Sequence, residues 1–365
     1  MKNRQILISI IAVAAAGTAT AQTQFTAMGG IDAYAGSLKY SGDSASRRVV
    51  GSGGLSTSWF GFKGKEDLGD GLKVEMALTG FFVVDTGNSG RFSGDTLFSR
   101  DANVGLSGPY GKLMLGRASA PSFLPLIQAN PFGNSFIFSP LIAHAYSPSG
   151  PAGARVWTGA LAGDSGWSNQ IQYSTPTAGG WRANFFYQPG EQSGDPGVKN
   201  VAANLFYSSG PLTLAAFAQR VRASNPLPGG VLMDAGKTPV NYASLTMNQA
   251  LFVGGNYDFG PIKLYASLQA AEDEAGTATV LRDRTWAGGW HIPLGTGAGA
   301  LLFHYANTGR TGSLLGGLDT RRQSASFGYD YKASKRTDLY LIYMADQVRR
   351  RAYGGSVAAG IRHTY

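Results

Sequence analysis

The chain contains no cysteine, which excludes disulfide staples and thiolate metal sites. After the first 21 residues no stretch approaches the roughly 18 uninterrupted apolar residues a spanning helix needs. Charge is scarce: Asp, Glu, Lys and Arg make up 15% of 365 residues, against about a quarter in an ordinary soluble domain. The four histidines (144, 291, 304 and 363) show no metal-ligand spacing. These absences argue against a soluble α/β enzyme, a helical membrane protein and a zinc protein, and no cofactor is expected.

What is present points elsewhere. Residues 1–21 combine Lys2 and Arg4, an apolar run and the small-residue site Ala19-Thr20-Ala21. That is the pattern of a cleavable secretory signal, so a mature chain of residues 22–365 is expected. Losing Lys2 and Arg4 would take the formal net charge from +9 to +7. The remaining basic residues are scattered rather than clustered, which fits an anion-attracting interior and no nucleic-acid partner.

Alternation is the dominant pattern. In Ile262-Lys263-Leu264-Tyr265-Ala266-Ser267-Leu268-Gln269 one face is apolar and the other polar. Residues 181–188 repeat it, with Arg182 and Asn184 on the polar face. Leu339, Leu341 and Tyr343 alternate with Asp338 and Tyr340, and Val357, Ala359, Ile361, His363 and Tyr365 share an outer face. In a bilayer only helices and closed barrels satisfy their own backbone groups. An exported chain of alternating segments of about ten residues therefore reads as an outer-membrane β-barrel.

Turn chemistry sets the topology. Tight turns fall at Gly69-Asp70-Gly71, Gly108-Pro109, Gly179-Gly180, Gly210-Pro211, Gly260-Pro261, residues 295–297 and residues 333–336. Longer polar segments lie between them, over 41–54, 85–95, 222–248 and 272–282. Seven periplasmic turns joining strands in pairs, plus two terminal strands, predict an all-β fold: a 16-stranded antiparallel transmembrane barrel around a water channel. One connection, about 119–168, is far longer. It is rich in Phe, Leu, Ile and Pro and holds a single acid, Asp164. A segment of that composition has to bury itself, and folding inward as a constriction is the expected solution.

Three segments then carry a resemblance. They are Phe60-Gly61-Phe62-Lys63-Gly64-Lys65-Glu66-Asp67-Leu68-Gly69, Arg100-Asp101-Ala102-Asn103-Val104-Gly105-Leu106 with Gly111-Lys112-Leu113-Met114-Leu115-Gly116-Arg117, and Gly360-Ile361-Arg362-His363-Thr364-Tyr365. Over essentially the whole mature chain the sequence resembles the general porins of Gram-negative bacteria, the β-proteobacterial subgroup in particular. The resemblance implies a homotrimer, a third loop folded inward, and passive diffusion of small hydrophilic or anionic solutes with modest anion preference. Outer-membrane lipid, lipopolysaccharide and the barrel-assembly machinery, which would read the terminal Tyr365, are the implied partners.

The family lines its constriction with basic residues facing acids on the inward loop. Arg100 and Arg117 match recurring arginines, whereas Trp59 and Gly166-Trp167 stand where others are expected. The expected constriction therefore comprises Arg100, Arg117, Arg155 and Arg182, with Asn130, Phe132, Asn134 and Phe136 of the loop. If Arg100 points inward, strict alternation puts Asp101 and Asn103 on the outer face, where a charge in hydrocarbon costs roughly 2–4 kcal/mol. A trimer interface at those two residues follows.

Other readings are weaker. Gly163-Asp164-Ser165-Gly166 imitates a protease nucleophile motif without the rest of a triad, and the glycines of 295–299 precede no helix that could cradle a phosphate. His304 is the one histidine expected mid-strand in the lumen, with no acid placed beside it, so an enzyme is disfavoured. The external loops carry no large inserted domain, which disfavours an adhesin. The main alternative is a solute-specific channel for organic or aromatic anions, selected by the apolar loop.

Overall fold

The computed structural model describes residues 23–365, except 93, 148, 150–156, 192, 195, 196, 198, 223–244 and 296–298. The leader over 1–21 and Arg155 lie outside the described residues. The described strands are β1 (Thr23–Leu38), β2 (Arg47–Ser52), β3 (Trp59–Gly69), β4 (Leu72–Phe81), β5 (Asp101–Gly108) and β6 (Gly111–Ser119). Two short helices follow, α1 (Phe123–Gln128) and α2 (Pro140–Tyr146). Then come β7 (Gly166–Ser174), β8 (Trp181–Pro189), β9 (Lys199–Ser209), β10 (Leu212–Val221), β11 (Met247–Asp258) and β12 (Lys263–Ala275). The last five are β13 (Ala278–Leu294), β14 (Gly299–Thr311), β15 (Thr320–Lys332), β16 (Thr337–Val348) and β17 (Gly354–Thr364). Every pairing is antiparallel, and β1 closes the sheet on β17, from Gly30 opposite Thr364 to Ser37 opposite Val357.

Seventeen segments make sixteen staves, because β2 and β3 are two halves of one. Both pair with β1, β2 through Ala33–Ser52 and its neighbours and β3 through Gly30–Trp59 and its neighbours. The gap between them wraps around Asp32, which is fully buried. Its carboxylate accepts from the backbone N–H of Gly54 at 3.0 Å, Leu55 at 2.9 Å and Ser56 at 2.7 Å, and from the Tyr340 hydroxyl. A carboxylate satisfied this way turns an interrupted ladder into a fixed inward bulge.

The faces follow the alternation. Along β8 the inner positions Asn184, Phe186 and Gln188 are buried while Phe185 and Tyr187 are exposed; β12, β16 and β17 show the same split. Outward Val104, Leu106, Leu113, Leu115, Leu251 and Leu268 form part of an apolar band that suits hydrocarbon as solvent. Six of the seven expected tight turns connect neighbouring strands, and the seventh, over 295–297, falls on residues 296–298 outside those described. The external side departs from expectation in two places. Residues 41–54 contain β2, and 272–282 is a tight hairpin in which only Gly276 and Thr277 separate β12 from β13. The charges that made that stretch look like a loop instead pair across the hairpin, Glu272 with Arg282 at 3.3 Å and with Arg284 at 3.2 Å.

Asp32→Ala leaves three buried N–H donors and the Tyr340 hydroxyl unpaired. At about 1–3 kcal/mol per orphaned group, barrel stability should fall by about 3 kcal/mol or more, read as a lower urea midpoint. An unchanged midpoint would show that the bulge holds itself.

Candidate functional site

The described part of the chain between β6 and β7, residues 120–165, runs inside the barrel and lies against the wall from β10 round to β1. Small residues on that wall make room for it. Ala250, Ala271, Ala287 and Ala306 pack with Leu126, Leu141, Ile142 and Leu161 of the loop, all of them buried. A Cβ on Gly254 would meet Ala129 Cβ at 2.9 Å, so glycine there allows α1 its close approach. Farther round, Phe132 and Phe138 enter a second cluster with Tyr34, Leu302, Tyr340 and Ile342. Each such buried side chain contributes roughly 1.5–3 kcal/mol. The loop is a packed layer, and the water path is confined to the opposite wall.

Polar groups lock that layer in place. Arg322 and Asp346 form an ion pair at 2.9 Å with both side chains fully buried, and Arg322 also donates to the carbonyls of Ala143 and Ser147. Arg310 grips Asp283 through two nitrogens at 2.8 Å, donates to the Thr158 carbonyl, and stacks 4.1 Å from the Trp157 ring. Between these pairs His144 of α2 bonds to Thr308 at 2.8 Å and Ser324 at 2.9 Å. The loop tip reaches the β2–β3 bulge through Ser135 Oγ and the Gly54 carbonyl, 2.6 Å. Burial, with the Arg322 charge nearby, holds His144 well below the usual histidine range. At the loop's exit Asp164 accepts from both Arg91 and Arg117. Arg91 also clasps Asp95; burial works against the Asp95 carboxylate, but the hydrogen bonds from Arg91 win and lower its proton affinity.

The expected constriction residues divide sharply. Arg100 is in the lumen, its guanidinium 3.7 Å from the ring of Trp59 and 3.9 Å from Asp101 Oδ2. Arg182 also faces inward, over Phe206 at 5.4 Å. It sits one inward position nearer the periplasmic turn than Asn204, whose amide donates to the Pro121 carbonyl at the loop's start. Arg117 is not open to the channel. It is 7% exposed and donates to the Ser99 and Gly166 carbonyls, Ser168 and Asp164, pinning the loop base. Asn130 and Phe132 are likewise buried. The Asn130 amide braces the loop internally against the Leu126 and Gly133 carbonyls and the Phe132 N–H, and Phe132 fills the wall cluster. Asn134 and Phe136 keep half-exposed positions, and Phe136 stacks on Phe123 at 5.9 Å beside Tyr146.

Asp101 and Asn103 are on the lumen side, which overturns their expected place on the outer face. The Thr79 hydroxyl donates to Asp101 at 2.6 Å, and Asn103 donates to the Arg117 carbonyl. The reason is local: Arg100 sits in a bend before β5 begins, so strict alternation does not run through it. Arg100 and Asp101 can then both reach the interior. His304 is on the inner wall but fully buried, not in open water.

The open wall carries the remaining charge. A cavity of about 370 Å³ is lined by residues including Lys63, Lys65, Glu75, Asp101, Asn103 and Lys112. Glu75 is held by Lys112 at 2.6 Å and by Ser107. Lys63 and Lys65 make no ion pair among the described residues. On the loop, the half-exposed Leu124, Asn134 and Phe136 present an uncharged surface. Sequence reasoning missed Arg310, Arg322 and His144 as loop anchors. Arg321-Arg322 was legible as one outward and one inward residue, but nothing local showed that the inward one is covered.

Two outcomes test this locking. Arg322→Ala strands Asp346 as a buried charge and should cost about 3–5 kcal/mol, measured by thermal unfolding. His144 titrates near 6.5 when unfolded and resists protonation when seated. Its contribution is therefore complete above about pH 6.5 and is lost as pH falls below it, at up to about 1.4 kcal/mol per unit. His144→Gln should flatten that slope; an equally steep acid loss in the variant would assign it to other groups.

A sequence profile of the Gram-negative porin family matches residues 9–351. Outer membrane porin protein 32 of Delftia acidovorans is 29% identical over 379 residues, covering 99% of this chain and 97% of the relative. An outer membrane porin of Bordetella pertussis is 26% identical and covers 99% and 100%. Among solved structures, the anion-selective porin from Comamonas acidovorans superposes with a TM-score of 0.71 at 24% identity, over 94% of this chain and all of that one. The trimer form of OmpT from Vibrio cholerae gives 0.67 at 16% identity, over 94% and 99%. With the closed barrel and its inward loop, these matches identify the chain as a member of the Gram-negative porin family, an outer-membrane barrel enclosing a passive diffusion channel.

Proposed function

We propose that this porin works as a homotrimer that passes small hydrophilic solutes with a modest preference for anions, and that it is not an enzyme. One observation carries the anion preference. Lumen-side carboxylates are largely consumed, Glu75 by Lys112, Asp283 by Arg310, Asp338 by Arg362 and Asp346 by Arg322. Lys63, Lys65 and Arg182 keep no such partner among the described residues. A pore whose unpaired lining charges are positive favours anions. The anion-selective Comamonas porin and the trimeric Vibrio OmpT support the reading. The buried His304, with neither ring nitrogen hydrogen-bonded, offers no base to a substrate. Cleavage of residues 1–21 and recognition of the exposed Tyr365 during assembly belong to the same proposal.

A second reading has its own support. The guanidinium of Arg100 lies 3.7 Å from the Trp59 ring, and Leu124 and Phe136 are apolar residues exposed on the loop. That combination suits aromatic carboxylates. Liposome swelling separates the two: equal rates for sugars and aromatic acids of similar size support the general channel, and a marked advantage for the acids supports the specific one.

For ion preference the measurement is the reversal potential in planar bilayers under a salt gradient. Wild type should show an anion preference that weakens as salt screens the lumen. Lys63→Gln with Lys65→Gln should move it toward neutrality with little change in conductance. A cation-preferring wild type would overturn the assignment. Trimer assembly is read from the mass of the unboiled protein in detergent.

A further inference from the structure

Three consecutive acids lie near the end of β12, Glu272, Asp273 and Glu274, and the middle one is placed unlike its neighbours. Glu272 and Glu274 are on the outer face. Glu272 meets Arg282 and Arg284, and Glu274 accepts from the Gln249 amide at 3.2 Å. Asp273 turns to the inner face, where β12 shifts register against β13, and is 9% exposed. A bulge at a strand end re-aims a side chain in this way. With ion pairs on its outer face, this level of the barrel stands clear of hydrocarbon, just below the hairpin tip at Gly276 and Thr277.

The surroundings of Asp273 do not suit a carboxylate. Among the described residues it forms no ion pair. Its hydrogen bond comes from the amide of Asn248, directly opposite on β11, Nδ2 to Oδ1 at 2.8 Å. The charged groups that face it are Asp283 on β13 and Arg310 on β14, and Arg310 is already closed on Asp283 through two bonds of 2.8 Å. The loop residues over this spot, 157–162, carry no charge. Burial pushes the Asp273 carboxyl up to about 7; the Asp283 charge adds to the rise, while the Asn248 amide and Arg310 oppose it.

Its partner is incomplete as well. Asn248 is buried, and its Oδ1 has no donor. A buried acceptor without a donor is costly, and so is a buried carboxylate without a cation. One proton on Asp273 removes both faults, because the carboxyl O–H becomes the donor that Asn248 Oδ1 lacks. Acid and amide then exchange hydrogen bonds in both directions between β11 and β12.

The pair is tied to the inward loop. The Asn248 amide also points at the Ala160 carbonyl, at 3.4 Å, and the N–H groups of Ala160 and Leu161 donate to the carbonyls of His144 and Ala145 in α2. Arg310, the cation nearest Asp273, holds the same limb of the loop through Thr158.

We propose that Asp273 and Asn248 form a neutral acid–amide pair at the external mouth, and that its proton is a pH switch on the channel. With the proton on, the pair is closed and the limb over 157–161 is seated. Loss of the proton puts a negative charge on the inner wall at the mouth, sets Asp273 against Asp283 for Arg310, and loosens that limb. Anion preference therefore falls as external pH rises through neutrality. This last step rests on the anion-channel reading; the protonated pair does not.

Two measurements on the full-length protein test it. Infrared difference spectra between about pH 5.5 and about pH 8.5 should show a protonated-carboxyl C=O band in wild type that is lost as pH rises, with a midpoint near 7. Asp273→Asn keeps both hydrogen bonds to Asn248 without a proton to lose, and should lack the band. In planar bilayers, the wild-type anion-to-cation permeability ratio should fall roughly twofold over the same interval, whereas Asp273→Asn should hold the acid value throughout. If that variant does not assemble, Asp273→Ser should remove the same band. A wild-type spectrum without a band that either variant removes would overturn the pair. A band that titrates while wild type and Asp273→Asn share one permeability profile against pH would overturn the switch. A channel that prefers cations yet shows the Asp273 band would fail the anion reading and leave the pair standing.

Discussion

A loop of apolar side chains inside a water-filled barrel has to find a dry wall, and the rest of this structure follows from where that wall is. The inner face from β10 round to β1 sets small and apolar residues among polar ones that bond to the loop, so the described part of residues 120–165 lies along it and leaves the β3–β6 side wet. The loop's backbone cannot form a ladder with the barrel. Its carbonyls at Pro121, Gln128, Phe138, Ala143 and Ser147 are instead met one by one by Asn204, Asn256, Ser326 and Arg322. Buried polar groups need partners, and here the wall supplies them from inward positions of successive strands.

This arrangement changes the meaning of the basic residues. Arg310 and Arg322 are on the inner wall, where charge would ordinarily be assigned to permeation. Both are sealed beneath the loop with a carboxylate each, and a buried pair of that kind contributes specificity of seating more than net stability. Arg117 and Arg91 do comparable work at the loop's exit through Asp164. The charges left for solutes are Arg100 on its Trp59 platform, Lys63, Lys65 and Arg182. Because Trp59 is neutral and Leu124, Asn134 and Phe136 carry no charge, the described part of the narrow region is milder electrostatically than a ladder of arginines facing acids.

The barrel itself was legible because its rules are local. Strand faces in β8, β12, β16 and β17, and the tight turns among the described residues, are set by a two-residue period and by the backbone freedom of Gly and Pro neighbours. Where a rule needed strict continuity, it failed. The bend at Arg100 broke the alternation that had placed Asp101 and Asn103 outside, and the charges of 272–282 looked like a solvated loop although they pair across a hairpin beyond the membrane. Splitting one stave into β2 and β3 required Asp32, opposite the gap but 22–24 residues earlier in the chain, to gather three backbone donors.

By itself the amino-acid sequence determined an antiparallel barrel of sixteen staves, its membrane-facing band, and a long apolar segment that has to fold inward. Those properties depend on neighbours within a few residues, or on composition summed over a segment. Only the tertiary structure decided which wall the loop covers, that Asn130, Phe132 and Arg117 serve the loop rather than the solute, and that Arg310 and Arg322 are anchors. Burial of an inward side chain depends on what crosses in front of it, and for Arg310 and Arg322 the crossing chain is more than a hundred residues away.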